Sequence, residues 1–426
     1  MRYPIIVLMV IVAFASAYAQ HNPRDVTQDI LKNPIEISTD VPYHLQKHEP
    51  IEDWTERITQ TFTQFDLMFK ERFVNGYDLI EAEECRRKAQ NAFDAGNVQQ
   101  ANELMQLAWN SLALAEKFRM ERSDKRPQAS DYTVLGPFDW PDDAVRIEVV
   151  SYTSDGLKVY GVVMRPAKEG KYPLIMWNHG GTAGLYPQSF GWLARLIKEE
   201  GYVIMLAAYR GEPLFGAGFR SADPAMAASY ERYSHLKCED DKTGRIGAPW
   251  DILNLMACGK QLPFVDAERI GIMGGSAGGR NTLDCLTKCD EFDVAICCAG
   301  YMNFFRRYMD RDLVTSGRNP LNKPEFLSMS FAEKSRWLAH ASPMTGIHLI
   351  GDTPVLIMVG DHDQYNLWWD NLDFVQEMIA QGKHVEVEVY PGQIHGFYFV
   401  SDFNRYLETE HAYQRIKAFL ATYLND

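Results

Sequence analysis

The segment Arg269–Leu286 constrains this chain most: an apolar run, Ile270 to Met273, enters Gly274-Gly275-Ser276-Ala277-Gly278-Gly279 and leaves as a helical pattern. Small residues on both sides of a serine let the backbone turn sharply from strand to helix and expose the hydroxyl at the edge of a sheet. The helix that follows points its N-terminus at that hydroxyl, which favours negative charge developing there. A tight turn alone would explain the glycines, but not a strand before them and a helix after. Ser276 is the candidate nucleophile.

A nucleophile on such a turn needs a sheet to carry it, and the sequence supplies one. From Ala144 onward, "VRIEVVSYTSDGLKVYGVVMRP" alternates with period two around Ser154-Asp155-Gly156, the pattern of an antiparallel hairpin. Apolar strand candidates then alternate with helical stretches: "PLIMWNHGG", "YVIMLAAY", "RIGIMGGS", "VAICCAG", "PVLIMVGD" and "VEVEVYPG". The expected fold class is α/β, a mostly parallel sheet with helices on both faces. Irregular insertions at 211–247 and 301–350 follow strands, where caps and specificity walls form. Ahead of the sheet, residues 51–130 read as a helical region. "DWTERITQTFTQFDLMFKERF" puts Trp54, Ile58, Phe62, Phe65 and Phe69 on one face, "ANELMQLAWNSLALAEKFRM" repeats the pattern, and the Gly96-Asn97 break between them predicts a helical hairpin or small bundle. The expected division is 1–19, 20–50 as an extended lead, 51–130, and 131–426 as the catalytic domain.

Serine needs a base, and in this architecture the chain order is serine, acid, histidine. Of the histidines after Ser276 (His340, His348, His362, His384, His395 and His411), only His395 follows a strand into a Gly-flanked turn, "VEVEVYPGQIHGF". His362 is the second choice. "TPVLIMVGDHDQYN" ends a strand on two carboxylates, Asp361 and Asp363; either would orient the imidazole, and the other would cap a turn. Upstream, "PLIMWNHGG" ends on Gly180 and Gly181, whose backbone N–H groups, with that of Ala277, are the candidate oxyanion donors. This chemistry requires neither metal nor organic cofactor.

Charge and cysteine usage narrow the partners. A net charge of −14, from 43 basic and 57 acidic residues, disfavours nucleic acid and anionic membrane surfaces. Residues 1–19 carry Arg2, an apolar run from Ile5 to Phe14 and the small-x-small end Ala17-Tyr18-Ala19, the pattern of a signal peptide cleaved near Ala19/Gln20. A secreted or periplasmic protein, free of the membrane after cleavage, is expected. Seven cysteines, an odd number, do not read as a disulfide framework. Aromatics of the second insertion and beyond, Tyr301, Phe304, Phe305, Tyr308, Trp337, Trp368 and Trp369, are expected to wall the pocket, with a substrate carboxylate met by Arg306, Arg307 or Arg311.

The block from about Pro173 to Asp426 resembles the catalytic domain of the prolyl oligopeptidase family and its dienelactone hydrolase relatives. The resemblance rests on "HGG", "AAYRG", "GGSAGG", "ASP" at Ala341 to Pro343, "VGDHD" and "GQIHGF". It implies an α/β-hydrolase fold and a triad of Ser276, His395 and Asp363, the acid matching Asp363 over Asp361. The departures bear on substrate. Ala277 stands where peptidases of the family commonly have Tyr, "YRGEPLFGAGF" follows the family loop only in part, and the region before the hydrolase block is helical and too short for a β-propeller. A carboxylester hydrolase acting through an acyl-enzyme is the expected activity, on a small-molecule ester or short peptide. The alternatives are a prolyl-oligopeptidase-like peptidase and a carbon–carbon bond hydrolase, the latter because a helical region before such a domain is similar to pseudooxynicotine hydrolase and polyketide-shortening enzymes.

Overall fold

The computed structural model describes residues 51–181, 183–241, 243, 246–309, 320–366, 368–399 and 407–425. The expected signal peptide and extended lead lie outside the described residues. By contacts the chain divides into residues 1–60 and a compact unit, 61–426. Among the described residues no helix is long and apolar enough to cross a membrane.

In chain order the elements are helices α1 (Ile51–Val74), α2 (Ile80–Asp94) and α3 (Val98–Leu114), then β1 (Thr133–Pro137), β2 (Val145–Ser154), β3 (Leu157–Pro166), β4 (Tyr172–Asn178), α4 (Phe190–Glu200), β5 (Val203–Ala207), α5 (Pro224–Tyr233), α6 (Ala248–Gly259), β6 (Val265–Gly275) and α7 (Ala277–Leu286). They continue with β7 (Val294–Cys298), α8 (Phe304–Met309), α9 (Pro324–Leu327), α10 (Phe331–Ala341), β8 (Val355–Gly360), α11 (Trp368–Ala380), β9 (Val385–Tyr390) and α12 (Leu407–Leu424). The strands form one sheet in the order β1-β2-β3-β5-β4-β6-β7-β8-β9. The β1/β2, β2/β3 and β3/β5 pairs are antiparallel, and the rest are parallel. Strands β5, β7 and β8 are buried along their whole length, as expected of central strands covered on both faces.

The expected hairpin forms in register from Val145↔Pro166 to Ser154↔Leu157, and its turn places Asp155 at φ 54° and Gly156 at φ 79°. Both central residues are thus left-handed, the condition for a two-residue turn that matches strand twist. Strand β1 has no counterpart in the alternation read above. It is a five-residue edge strand, mostly exposed, broken by a register shift before Gly136 and ended by Pro137, so nothing periodic marks it.

The helical region contains three helices. Gly96 at φ 78° ends the turn after α2, and the Asn97 side chain accepts from the Gln100 N–H to cap α3. The second amphipathic stretch stops being helical at Leu114, short of the Met120 its periodicity predicts. Beyond Leu114 the amides pair outside the helix: Phe118 N–H donates to Gly76 O, and Met120 N–H to Thr345 O. Tertiary partners override helix propensity there. Phe118 instead stacks on Phe305 at 5.7 Å, and Phe73 meets Phe305 edge-on at 5.2 Å. Burying each such ring contributes about 1.5–3 kcal/mol, which fixes this region against the second insertion.

Candidate active site

The strand order reverses at β4 and β6, since β5 lies on one side of β4 and β6 on the other. Ligands of open α/β sheets bind at the carboxyl ends of strands at such a switch point. Ser276 ends β6 and Gly180 and Gly181 follow β4, so the candidate nucleophile and oxyanion loop share that crevice.

Ser276 holds φ 57° and ψ −121°, a conformation costly for a residue with a side chain. Its N–H donates to Cys298 O at 2.8 Å, and its carbonyl accepts from Arg280 N–H at 3.1 Å. The flanking glycines are sterically required. A Cβ on Gly278 would lie 1.9 Å from Asn178 O, on Gly274 2.6 Å from the Gly278 backbone, on Gly275 2.7 Å from the Tyr398 ring, and on Gly279 2.9 Å from Cys297 Sγ. The turn is wedged between β4, β7 and the Tyr398–Phe399 segment.

His395 Nδ1 lies 2.6 Å from Asp363 Oδ2. An ionised carboxylate only accepts, so in that bond the proton sits on Nδ1 and Nε2 is left as the basic nitrogen. The other Asp363 oxygen accepts the N–H groups of Tyr365 and Asn366, at 2.8 and 2.9 Å. Asp361 is engaged elsewhere: its Oδ1 lies 2.6 Å from His362 Nδ1 and accepts Gly392 N–H at 2.6 Å. Geometry therefore pairs His395 with Asp363, while Asp361 braces the start of the histidine loop. His362, the second-choice base, is largely exposed and bonded to Asp361.

Around the oxyanion loop, a Cβ at Gly180 would stand 3.1 Å from Ser276 Cβ and 3.8 Å from its Oγ, and Gly181 adopts φ 73°. Ala277 opens α7, where the N–H groups of the first turn have no intrahelical acceptor. Sequence reasoning missed two residues that shape this loop. The buried His179 ring stacks on Tyr209 at 4.1 Å, its Nε2 lies 3.3 Å from Glu212 Oε2, and Glu212 also accepts Gly184 N–H at 3.3 Å. Glu212 thus spans the loop from one end to the other; the only sequence signal was a carboxylate placed just after the Arg210-Gly211 pair.

Of the aromatics expected to wall a pocket, Tyr301, Phe304 and Phe305 are buried, while Tyr308, Trp337, Trp368 and Trp369 are half-buried. Phe304 packs on Trp337 at 5.7 Å, Tyr308 on Phe326 at 5.6 Å, and Phe305 is fully buried. Two other aromatics meet the site: Tyr365, edge-on to His395 at 5.3 Å and 58% exposed, and the buried Tyr398, edge-on to His395 at 6.5 Å. A separate cavity of about 360 Å³, lined among others by Lys125, Arg210, Trp250 and Lys288, lies toward the far end of α7 and includes none of the three triad candidates. All seven cysteines are free. Burial pushes the Cys238 thiol up to about 12, so it is no nucleophile.

Two family profiles match the chain: Prolyl oligopeptidase family over residues 249–426, and Acetyl xylan esterase (AXE1) over residues 126–322. Dipeptidyl-peptidase 5 of Porphyromonas gingivalis is 25% identical over 57% of this chain and 34% of its own length. Dipeptidyl aminopeptidase BIII of Pseudoxanthomonas mexicana is 24% identical over 61% of this chain and 35% of its own. The chain thus spans about a third of the length of these curated relatives. Among solved structures, a putative dienelactone hydrolase from Klebsiella pneumoniae superposes with a TM-score of 0.46 at 19% identity, covering 66% of this chain and all of that one. A thermostable esterase from Pseudomonas putida does so with a TM-score of 0.48 at 18% identity, covering 67% of this chain and 85% of that one. The order of the sheet, the turn at Ser276 and the two profiles, each matched over less than half of the chain, agree: the chain has an α/β-hydrolase fold and is a serine hydrolase, similar to the prolyl oligopeptidase family in its second half and to acetyl xylan esterase in its middle.

Proposed function

We propose that this serine hydrolase is a carboxylester hydrolase working through Ser276, His395 and Asp363. The observation that carries the reading is the 2.6 Å contact of His395 with Asp363, together with a serine held at φ 57° at the end of β6, on the same carboxyl edge of the sheet. Ser276 Oγ attacks the ester carbonyl carbon as His395 Nε2 takes its proton. The carbonyl oxygen, now an anion, is received by the N–H of Ala277 and one from Gly180 or Gly181. Collapse breaks the carbon–oxygen bond to the alcohol, which leaves with the proton from His395. Water, deprotonated by the same nitrogen, then attacks the acyl-enzyme and restores Ser276. Asp363 keeps the ring in the required tautomer throughout.

An ester is favoured over an N-terminal peptide because an aminopeptidase needs free carboxylates to hold the substrate ammonium. Among the described residues, the acids around the site are engaged: Asp361 with His362 and Gly392, Asp370 and Asp373 with Arg306, and Glu212 with His179 and Gly184. We further propose that residues 131–426 form the catalytic domain behind a helical region at 51–130, and that the chain is exported after cleavage near Ala19/Gln20. Ser276→Ala should abolish hydrolysis of short p-nitrophenyl esters and labelling by a fluorophosphonate while preserving the circular dichroism spectrum. Retained turnover in that variant would overturn the reading. N-terminal sequencing of secreted protein tests the cleavage site.

A further inference from the structure

We propose that Arg307 is the specificity-determining residue of this site: its guanidinium pairs with a carboxylate carried by the substrate, so the preferred esters are anionic ones. The inference rests on the esterase reading above. Three arginines of the second insertion were candidates, and their surroundings differ. Arg306 Nη1 is paired to Asp370 at 3.0 Å and to Asp373 at 2.7 Å. Arg311 lies outside the described residues. Among the described residues Arg307 makes contacts only with neutral groups: Nη1 donates to Tyr365 O and to Asn366 Oδ1, both at 3.2 Å, and the guanidinium carbon sits 4.6 Å from the centre of the Tyr301 ring.

Those two bonds use one nitrogen of the fork. Nε and Nη2, the edge that receives a carboxylate through two parallel hydrogen bonds, have no acceptor among the described residues. Among the described residues the carboxylates of these segments are engaged elsewhere: Asp363 with His395, Asp361 with His362 and Gly392, and Asp370 and Asp373 with Arg306. In a chain of net charge −14, an uncompensated cation here is not a general property of the surface. Its position is close to the chemistry: the residue whose carbonyl it holds, Tyr365, lays its ring against His395 at 5.3 Å. Exposed apolar side chains stand on the segments that carry the site: Tyr365, 58% exposed; Ile394, 57% exposed and next to His395 in sequence; and Tyr186, 39% exposed, whose Oη would lie 3.8 Å from a Cβ on Gly181. An apolar body ending in a carboxylate fits this combination of apolar side chains and cation.

The test compares each anionic ester with its own neutral methyl ester: p-nitrophenyl hydrogen glutarate against p-nitrophenyl methyl glutarate, and 4-acetoxybenzoate against methyl 4-acetoxybenzoate. The wild-type enzyme should prefer the anionic member of at least one pair in kcat/KM. Arg307→Gln should lower kcat/KM for that member about ten- to a hundredfold, mainly through KM, and leave the neutral member within about threefold. Arg307→Lys should retain part of the preference. A purely structural Arg307, acting by bracing Tyr365 and Asn366, would depress both members equally; that result, or no wild-type preference, overturns the proposal. Should Arg307→Gln fail to fold, the wild-type preference must still shrink between 0.05 and 1 M NaCl, values chosen to take the Debye length from about 14 to about 3 Å, and a salt-independent ratio rejects the ion pair. If Ser276 is labelled by fluorophosphonate but no ester is cleaved, the esterase reading alone fails. Protection from labelling by glutarate in wild type and not in Arg307→Gln then sustains the carboxylate site, and equal protection rejects it.

Discussion

The turn after β6 and the turn after β8 hold the two ends of the proposed proton path, and they are built by opposite means. Around Ser276 the conformation is forced by contact: four glycines lie where any Cβ would collide with a strand or ring within 3 Å. Around Asp363 the conformation is held by hydrogen bonds. Two amides hold one carboxylate oxygen, and the Asn366 side chain donates to Ala299 O at 2.6 Å. Ala299, at φ 46°, is itself a left-handed non-glycine residue at the end of the neighbouring strand β7. The nucleophile side is therefore rigid because nothing else fits, whereas the acid side is rigid only as long as its polar partners remain. Substitutions on the first side should cost fold and activity together, and on the second side activity first.

The sharpest test of the contact-built turn is Gly278→Ala. Its Cβ would fall 1.9 Å from Asn178 O, so we expect a loss of about 3 kcal/mol or more in urea unfolding and no measurable esterase activity. A variant with wild-type stability would show that β4 can yield. Next, Asp363→Asn should lower kcat by about 10⁴-fold, through the wrong imidazole tautomer, with the unfolding midpoint little changed. Asp361→Asn, which removes a brace rather than the partner of His395, should lower it less than about tenfold. Equal effects would dissolve the distinction between the two acids. Asn366→Ala removes the donor to Ala299 O but keeps the main-chain bond to Asp363, so about 1–3 kcal/mol of stability and, as for Asp361→Asn, less than about tenfold in kcat should go.

The smallest expected effect is one of pH. Burial raises the Asp370 carboxyl from its ordinary value to about 6, against the opposing pull of Arg306. The folded chain then binds more protons than the unfolded one between about pH 4 and 6, so this group makes stability fall as pH rises through that window. Asp370→Asn should flatten the slope there by on the order of 1–3 kcal/mol, read from urea midpoints at pH 4, 5, 6 and 7. An unchanged slope would place the titration elsewhere.

Much of this architecture is written locally. The Gly-x-Ser-x-Gly run, the period-two hairpin around Asp155-Gly156, the apolar strands and the Gly-flanked His395 are features of a few adjacent residues, and steric or periodic rules act at that range. They determined the α/β class, the nucleophile candidate and the histidine. Everything set by partners distant in sequence was decided by the tertiary structure. The end of α3 at Leu114 follows from acceptors at Gly76 and Thr345, and the edge strand β1 exists because β2 offers it a ladder. The neighbouring carboxylates Asp361 and Asp363 have equivalent local settings, and only the folded loops bring one of them to His395 and the other to Gly392. Likewise Arg306 and Arg307 are indistinguishable as adjacent letters. Helix α8 turns successive side chains through about 100°, which sends Arg306 to the buried Asp370 and Arg307 to the carbonyl beside the candidate base.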